Sequence, residues 1–266
     1  MNPSLRRIWG LIYRHLALYQ RSWPRMLELM YWPVLQMCIW GFTASFLTTR
    51  LGDAATMTAA ALLGGVLLWE ITLRSQMGFT ISFMEEMWSR NLGHVFVSPL
   101  RPWEMVLGLI AMSVFRLLIA LIPAIGLAWG FYAFNLFTLG LPLALFFANL
   151  MVMGWAVALG IVSLLLRHGA GAESFAWGVL FGLAPFSAVF YPVAILPPVM
   201  QYVSMLLPST HVFEGMRAIL LDGRVPWAEL GLACAINTVW LLGAVALFAR
   251  QFHAARVRGA LLNIGE

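Results

Sequence analysis

The chain of 266 residues contains no lysine, and all 16 of its basic residues are arginine. Without lysine it cannot form a Schiff base, and it cannot carry the G-x-x-x-x-G-K-[ST] loop that binds ATP phosphates. We therefore expect no ATPase site in this sequence. Its two cysteines, Cys38 and Cys234, lie far apart in apolar stretches. We expect them to be buried small hydrophobic residues rather than a disulfide or a metal site.

Charge is also scarce. Only 10% of the residues are charged, 62% are hydrophobic, and the mean hydropathy is +0.86. Because about a quarter of the residues of a soluble domain are charged, this composition excludes a soluble globular enzyme. A membrane-spanning helix needs about 20 apolar residues, and the apolar runs here suffice for about six. The composition therefore predicts an all-α membrane protein.

Six stretches of low charge predict six membrane spans. The first covers 30–48, and the second covers 54–69 and continues past Glu70 and Arg74. No acidic or basic residue occurs in 117–166, which is long enough for two spans separated by a break at 135–142. The earlier of these two spans begins near Met105. The fifth and sixth spans cover 174–191 and 230–249.

The arginines predict how the spans are oriented. With the N-terminus inside, twelve arginines lie in cytoplasmic segments and three lie on the other side. This asymmetry follows the positive-inside rule and predicts that both termini are cytoplasmic. Because the arginines are dispersed between the spans, we expect no nucleic-acid binding.

Residues 4–23 have the pattern of an amphipathic helix that lies in the lipid headgroup region. Apolar residues recur on one helix face, and Arg6, Arg7, Arg14 and Arg21 cluster on the opposite side. Pro24 is expected to end this helix before the first span.

Two connections are too distinctive to be simple turns. The first, 82–102, is a predicted cytoplasmic helix-forming segment that begins with acidic and aromatic residues. The second, 191–227, is too apolar for a solvated loop, yet its prolines forbid one continuous helix. Short broken helices that re-enter the outer leaflet fit it better, because irregular backbone at membrane depth must be shielded by protein.

These two connections resemble the permease subunits of type-2 ABC exporters, which export drugs, lipo-oligosaccharides and polysaccharides. An acidic pair followed by a Ser-Pro-Leu run precedes span three, in Glu85, Glu86, Ser98, Pro99 and Leu100. After span five, the pattern P-x(n)-LP-x(n)-P-x-t-x(3)-E-x-x-R is matched by Pro192, Leu196, Pro197, Pro208, Thr210, Glu214 and Arg217.

The resemblance implies a single permease domain over 1–266 in the cytoplasmic (inner) membrane, acting as a homodimer in contact with membrane lipids. It also implies two copies of a separate ATPase subunit that bind ATP and Mg²⁺, so this chain is expected to bind no cofactor or metal and to catalyse no reaction. A coupling helix over 82–94 would contact the ATPase through Glu85, Glu86, Trp88, Arg90 and His94. The re-entrant segment would cap the pathway and act as a gate through Pro192, Pro197, Pro208, Thr210, Glu214 and Arg217. The expected substrate is a hydrophobic or amphipathic compound such as a drug, a lipid or a lipid-linked glycan.

Some alternatives remain open at the sequence level. Glu85 to Arg90 also match the E-E-x-x-x-R signature of CAAX-type membrane proteases, but the five histidines lack the spacing of that family's metal ligands. An ion-coupled carrier is the other alternative. Glu70 and Arg116 lie near mid-depth and are predicted to pair across neighbouring helices, although Arg74 offers Glu70 a local partner. Glu214 and Arg217 form either a structural salt bridge or part of a gate.

Overall fold

A computed structural model describes residues 3–20 and 22–259, and these residues form helices and turns with no β-strand. The described chain has ten α-helices: α1 (Pro3–Gln20), α2 (Trp23–Leu51), α3 (Thr56–Trp88), α4 (Leu92–Val97), α5 (Pro102–Tyr132), α6 (Pro142–His168), α7 (Glu173–Leu183), α8 (Pro198–Met205), α9 (Pro208–Asp222) and α10 (Trp227–Val257). The expectation of an all-α protein is thus confirmed.

Four stretches of the described chain have the length and hydropathy needed to cross a bilayer: Thr56–Trp88, Pro102–Tyr132, Pro142–Phe186 and Trp227–Val257. They overlap five of the six predicted spans, since Pro142–Phe186 covers α6 and α7 together, and the number of crossings stays a prediction. The remaining predicted span, 30–48, lies within α2.

The first two helices meet at a different residue from the one predicted. Helix α1 ends at Gln20, and Trp23 begins α2 instead of completing the amphipathic helix. Pro24 stands in the first turn of α2, where its missing N–H costs no helical hydrogen bond. Arg21 lies outside the described residues.

The predicted break at 135–142 is present between α5 and α6. Helix α5 ends at Tyr132, the residue after it, Ala133, has a left-handed φ of 50°, and a short 3₁₀ turn follows over Leu136–Leu139. Gly140 supplies a second positive φ of 63°, and Pro142 then begins α6. A glycine that tolerates positive φ and a proline that suits a helix start therefore lie between the two long helices.

The fifth predicted span is shorter than expected. Helix α7 has 11 residues, and a 3₁₀ turn over Ala184–Phe186 ends it before Tyr191. Eleven residues extend about 17 Å, roughly half of the hydrocarbon core. Pro185 lies in this turn, and Ala188 has a φ of 55°, so the chain leaves the helix well before 191.

Helix α3 occupies the centre of the bundle and packs against α2, α5, α6 and α9. Glycines bring it close to two of these neighbours. A Cβ on Gly78 would lie 2.8 Å from the Cα of Ser113 on α5, and a Cβ on Gly154 of α6 would lie 2.8 Å from the Thr72 carbonyl oxygen. Small residues thus allow the close helix contacts that stabilise membrane bundles.

Candidate functional site

The acidic pair Glu85 and Glu86 lies near the end of α3 and points into the protein. Only 3% of the Glu86 side chain and 16% of the Glu85 side chain are exposed. Helix α3 ends at Trp88, and α4 begins only at Leu92. The predicted coupling helix over 82–94 is therefore wrong as a single helix, and its acidic residues belong to the long central helix.

Glu85 is surrounded by basic side chains from three other helices. Its Oε2 accepts a hydrogen bond from Arg116 Nη2 of α5 at 2.8 Å and lies 3.4 Å from His15 Nδ1 of α1. Its Oε1 lies 3.6 Å from Arg25 Nη1 of α2. The Arg116 guanidinium also lies over the Tyr19 ring, 5.2 Å from the ring centroid, which adds a cation–π contact with α1.

Glu86 joins α1 to the turn that follows α3. Arg14 Nη1 lies 3.0 Å from Glu86 Oε2, and His15 Nε2 lies 3.4 Å from Oε1. Asn91 donates both its backbone N–H and its side-chain amide to Glu86, at 2.9 Å and 2.7 Å. Arg90, with a φ of 52°, makes the left-handed turn that brings Asn91 back.

A second ion pair holds α1 against the start of α5. Arg7 Nε donates to Glu104 Oε2 at 2.8 Å, and the Arg101 backbone N–H donates to the same oxygen at 2.9 Å. The Glu104 side chain is fully buried. The hydrogen bond between Arg7 and the Glu104 carboxylate raises the pKa of the Arg7 guanidinium above its ordinary value.

Helix α1 is thus attached on both sides of the residues 89–101, which we call the connecting segment. We call the two attachments together the α1 clamp. One attachment is the cluster around Glu85 and Glu86 before the segment, and the other is the Arg7–Glu104 pair after it. A groove of about 330 Å³ separates α1 from α4, with Arg14 and His94 in its lining. The side-chain contacts at the two ends of the connecting segment therefore join α1, α3 and α5 to one another.

The other predicted coupling residues lie on the surface of this region. Trp88 is 53% exposed, and its Nε1 donates to Glu173 Oε1 at the start of α7 at 2.8 Å. Arg90 and His94 are exposed. The coupling residues predicted from the sequence thus divide into an inward acidic pair and an outward group.

The predicted pair between Glu70 and Arg116 is not formed. Arg74 Nε donates to Glu70 Oε2 at 2.9 Å within α3, which is the local alternative. Arg116 instead binds Glu85. The pair was predicted because Glu70 and Arg116 lie at similar depths in their spans. In the structure, Glu85 faces Arg116 instead, 15 residues closer to the end of α3 than Glu70.

At the other end of α3, residues 184–226, which lie between α7 and α10 and which we call the outer segment, form the broken helices predicted for 191–227. Pro192 and Pro197 precede a 3₁₀ turn and α8, and Pro208 is the first residue of α9. Proline suits these helix starts because it lacks the N–H that would be unpaired there. The backbone of Val189 approaches Gly65 so closely that a Cβ would lie 2.6 Å from the Val189 oxygen.

The polar residues of this outer segment bind its irregular backbone. Thr210 Oγ1 donates to the Phe186 carbonyl at 3.3 Å, beside Ser204 Oγ, which donates to the same oxygen. Glu214 Oε1 accepts from the Val193 N–H at 2.7 Å and lies 3.1 Å from Arg217 Nη2. Glu214 and Arg217 therefore form a salt bridge that also holds the turn after Pro192, and their role in a gate stays a prediction.

Sequence reasoning missed several residues of both clusters. At the outer end, His211 lies 2.7 Å from Glu229 Oε2 and 3.0 Å from the Met205 carbonyl oxygen. In the α1 clamp, it missed the roles of Arg7, His15 and Glu104. The sequence held one weak signal for the buried face of α1. Leu11, His15 and Tyr19 recur every fourth residue, so they lie on one side of the helix, and they are its buried residues.

The two polar clusters lie at opposite ends of one helix. Twenty-one residues separate Gly65, which contacts the outer segment, from Glu86. At 1.5 Å per residue this is about 30 Å, the thickness of the hydrocarbon core.

The protease alternative gains no support from this geometry. Both carboxylates of the E-E-x-x-x-R match are engaged by arginine, and among the described residues no group of three or more His, Cys, Asp or Glu could hold a metal ion. An arginine beside each carboxylate occupies the oxygens that a metal or an attacking water would need.

Comparison with known proteins gave one match. The model of the family described as ABC-2 type transporter matches residues 7–221, which include the α1 clamp, the connecting segment and most of the outer segment. No curated protein matches the chain.

Proposed function

Since the chain belongs to the ABC-2 type transporter family and is a multi-pass membrane subunit of an ABC transporter, we propose that it is the permease of an ATP-driven exporter. A separate ATPase subunit supplies the energy, because the chain has no lysine for a P-loop. The observation that carries the proposal is the clamp of α1, α3 and α5 around the connecting segment. A subunit driven from outside needs such a rigid contact region.

Six crossings account for the architecture in this proposal. They are made by α2, α3, α5, α6, α7 and α10, with α7 crossing the inner half of the membrane and the irregular residues after it completing the outer half. The arginine bias places the connecting segment and both termini in the cytoplasm. The outer segment then lies at the external face of the inner membrane, where α8 and α9 cap the pathway.

The assembly is a homodimer of this chain with two ATPase subunits, in which ATP and Mg²⁺ bind to the ATPases. When ATP closes the ATPases, they push on the connecting segments. The ion clusters transmit that movement to α1, α3 and α5, and the outer cap opens. The substrate is a hydrophobic or amphipathic compound such as a drug, a lipid or a lipid-linked glycan.

The test is purification of the tagged chain from its native membranes in mild detergent, with mass spectrometry of the co-purifying proteins. We expect a P-loop ATPase at a near one-to-one ratio, with ATP hydrolysis that vanadate inhibits. Membranes that carry the untagged chain serve as the control. A monodisperse chain that repeatedly lacks an ATPase would overturn the proposal and reopen the carrier alternative.

A further inference from the structure

We propose that the connecting segment is a basic docking surface and that the ATPase subunit receives it in an acidic cleft. This inference rests on the proposed function and adds the chemistry of the partner's contact surface. The sequence pattern had predicted an acidic coupling helix, which would require a basic cleft instead. The structure reverses that expectation because it turns the acidic side chains inward.

The connecting segment, SRNLGHVFVSPLR, contains no carboxylate. It carries three basic side chains, Arg90, His94 and Arg101, and all three are exposed. None of them pairs with a carboxylate in the part of the chain that the structure describes. The segment therefore presents uncompensated positive charge to a partner.

The carboxylates that flank the segment do not reduce this charge at the surface. Glu86 and Glu104 are 3% and 0% exposed, and Glu85 is 16% exposed. Each is held by an arginine from α1 or α5. The half-buried Glu173 also lies nearby and accepts a hydrogen bond from Trp88.

Neighbouring residues extend the same surface. Arg167 and His168 end α6, a few residues before Glu173, and both are exposed. Val97 is 85% exposed within the connecting segment and provides an apolar contact among the charges. Protein interfaces combine such an apolar centre with a charged rim.

The position of the segment favours a protein partner over a lipid surface. Helices α3 and α5 have 33 and 31 residues, or about 50 Å and 46 Å, whereas the bilayer with its headgroups is about 40–45 Å thick. Glu86 and Glu104 are held at the level of α1, the amphipathic helix. The segment that joins them therefore projects beyond the headgroups into water.

The experiment compares charge variants in the complex purified from membranes. Arg90→Glu combined with Arg101→Glu should lower the amount of co-purifying ATPase at least about tenfold at 0.15 M KCl, since like charges would face each other across the contact. Arg90→Lys with Arg101→Lys should retain the ATPase. The matched control is Arg224→Glu, a 77% exposed residue between α9 and α10, which should behave as wild type.

Increasing KCl should release the ATPase from the wild-type complex, because salt screens exposed charges. All variants should elute as wild type in size-exclusion chromatography, since these side chains are exposed. If the glutamate variant keeps its ATPase at every salt concentration, the inference is wrong while the proposed function stands. If the wild-type chain brings no ATPase, the proposed function itself fails.

A photo-crosslinking amino acid at Val97 identifies the surface that faces the segment. We expect a crosslinked peptide of the ATPase with net negative charge. A neutral or basic ATPase peptide would overturn the inference. Crosslinks to lipid alone would also overturn it, because the segment would then bind anionic headgroups.

Discussion

Single carboxylates hold several helices together at the inner cluster. Glu86 binds Arg14 at 3.0 Å and Asn91 at 2.7 Å, and it is 2% exposed as a residue. Removing one member of a buried ion pair typically costs about 3–5 kcal/mol, because the remaining charge loses its partner in a desolvated site. Glu86 thus contributes stability as well as geometry.

We predict that Glu86→Ala lowers stability by about 3 kcal/mol, the low end for a buried pair, because Arg14 is partly exposed and can turn to water. The midpoint of thermal unfolding, followed by fluorescence-detected size-exclusion chromatography, should fall by about 6–12 °C. Glu28→Ala is the control, since Glu28 is exposed on α2, and it should change stability by less than about 0.5 kcal/mol. Equal midpoints for the two variants would contradict the structural role of Glu86.

Because Glu86 is buried, the variant Glu86→Arg has a different expected result from the one that an exposed residue would give. If Glu86 were on an exposed coupling helix, Glu86→Arg would leave folding intact and uncouple ATP hydrolysis from export. In the structure, this substitution places a positive charge beside Arg14 and against the buried His15. We therefore expect loss of folded protein instead, so this variant does not test coupling.

At the scale of helices, the bundle depends on a close crossing between α3 and α6. A Cβ on Gly154 would lie 2.8 Å from both the Ser75 Cβ and the Thr72 carbonyl oxygen, so the backbones would have to separate. Gly160 lies on the same helix and has open space where its Cβ would be. The two glycines therefore form a matched pair for testing this contact.

We predict that Gly154→Ala destabilises the protein by about 1–3 kcal/mol through overpacking. Gly160→Ala should be neutral or slightly stabilising, because alanine has a higher helix propensity than glycine. Thermal unfolding midpoints of both variants in the same detergent measure the difference. A Gly154→Ala variant as stable as Gly160→Ala would show that α3 and α6 do not pack this closely.

Two other glycine pairs show how element-level patterns can mislead. Gly126 with Gly130, and Gly178 with Gly182, have the G-x-x-x-G spacing of close helix packing. A Cβ on any of these four would meet no atom within 4 Å in the described chain. The G-x-x-x-G spacing therefore does not mark a close helix contact within the subunit. Gly78 and Gly154 lie at two such contacts, and neither belongs to a G-x-x-x-G pair.

At the scale of the whole molecule, the two polar clusters are separated by one hydrocarbon thickness along α3. This arrangement and the arginine bias together support the orientation that we propose, with the connecting segment in the cytoplasm and Arg224 outside. The chain has only two cysteines, so a cysteine-free background is simple to prepare.

We predict that a membrane-impermeant maleimide labels Arg224→Cys in intact cells and labels Arg90→Cys only after the membrane is opened. Inside-out vesicles should reverse this pattern, and the cysteine-free chain controls for background labelling. Both positions are exposed, so access depends on the membrane and not on burial in the protein. Labelling of both positions from one side would contradict the six-span orientation.

Local chemistry along the chain determines the helical, membrane-spanning character of this protein. Uncharged runs of sufficient length predict the long helices, and Pro142 and Pro208 begin helices where the pattern placed breaks. These features are predictable because apolar length and the missing N–H of proline act within a few residues. The local Glu70–Arg74 alternative had the same basis, since residues four apart meet on any helix.

Only the tertiary structure decided which distant charges meet and which way they face. Arg116 pairs with Glu85 instead of Glu70, and both nitrogens of the buried His15 face the acidic pair. Such contacts depend on the rotation and packing of α1, α3 and α5 about one another. The hydropathy of each span specifies its depth but not its rotation, so the sequence by itself left the inner face of the clamp undetermined.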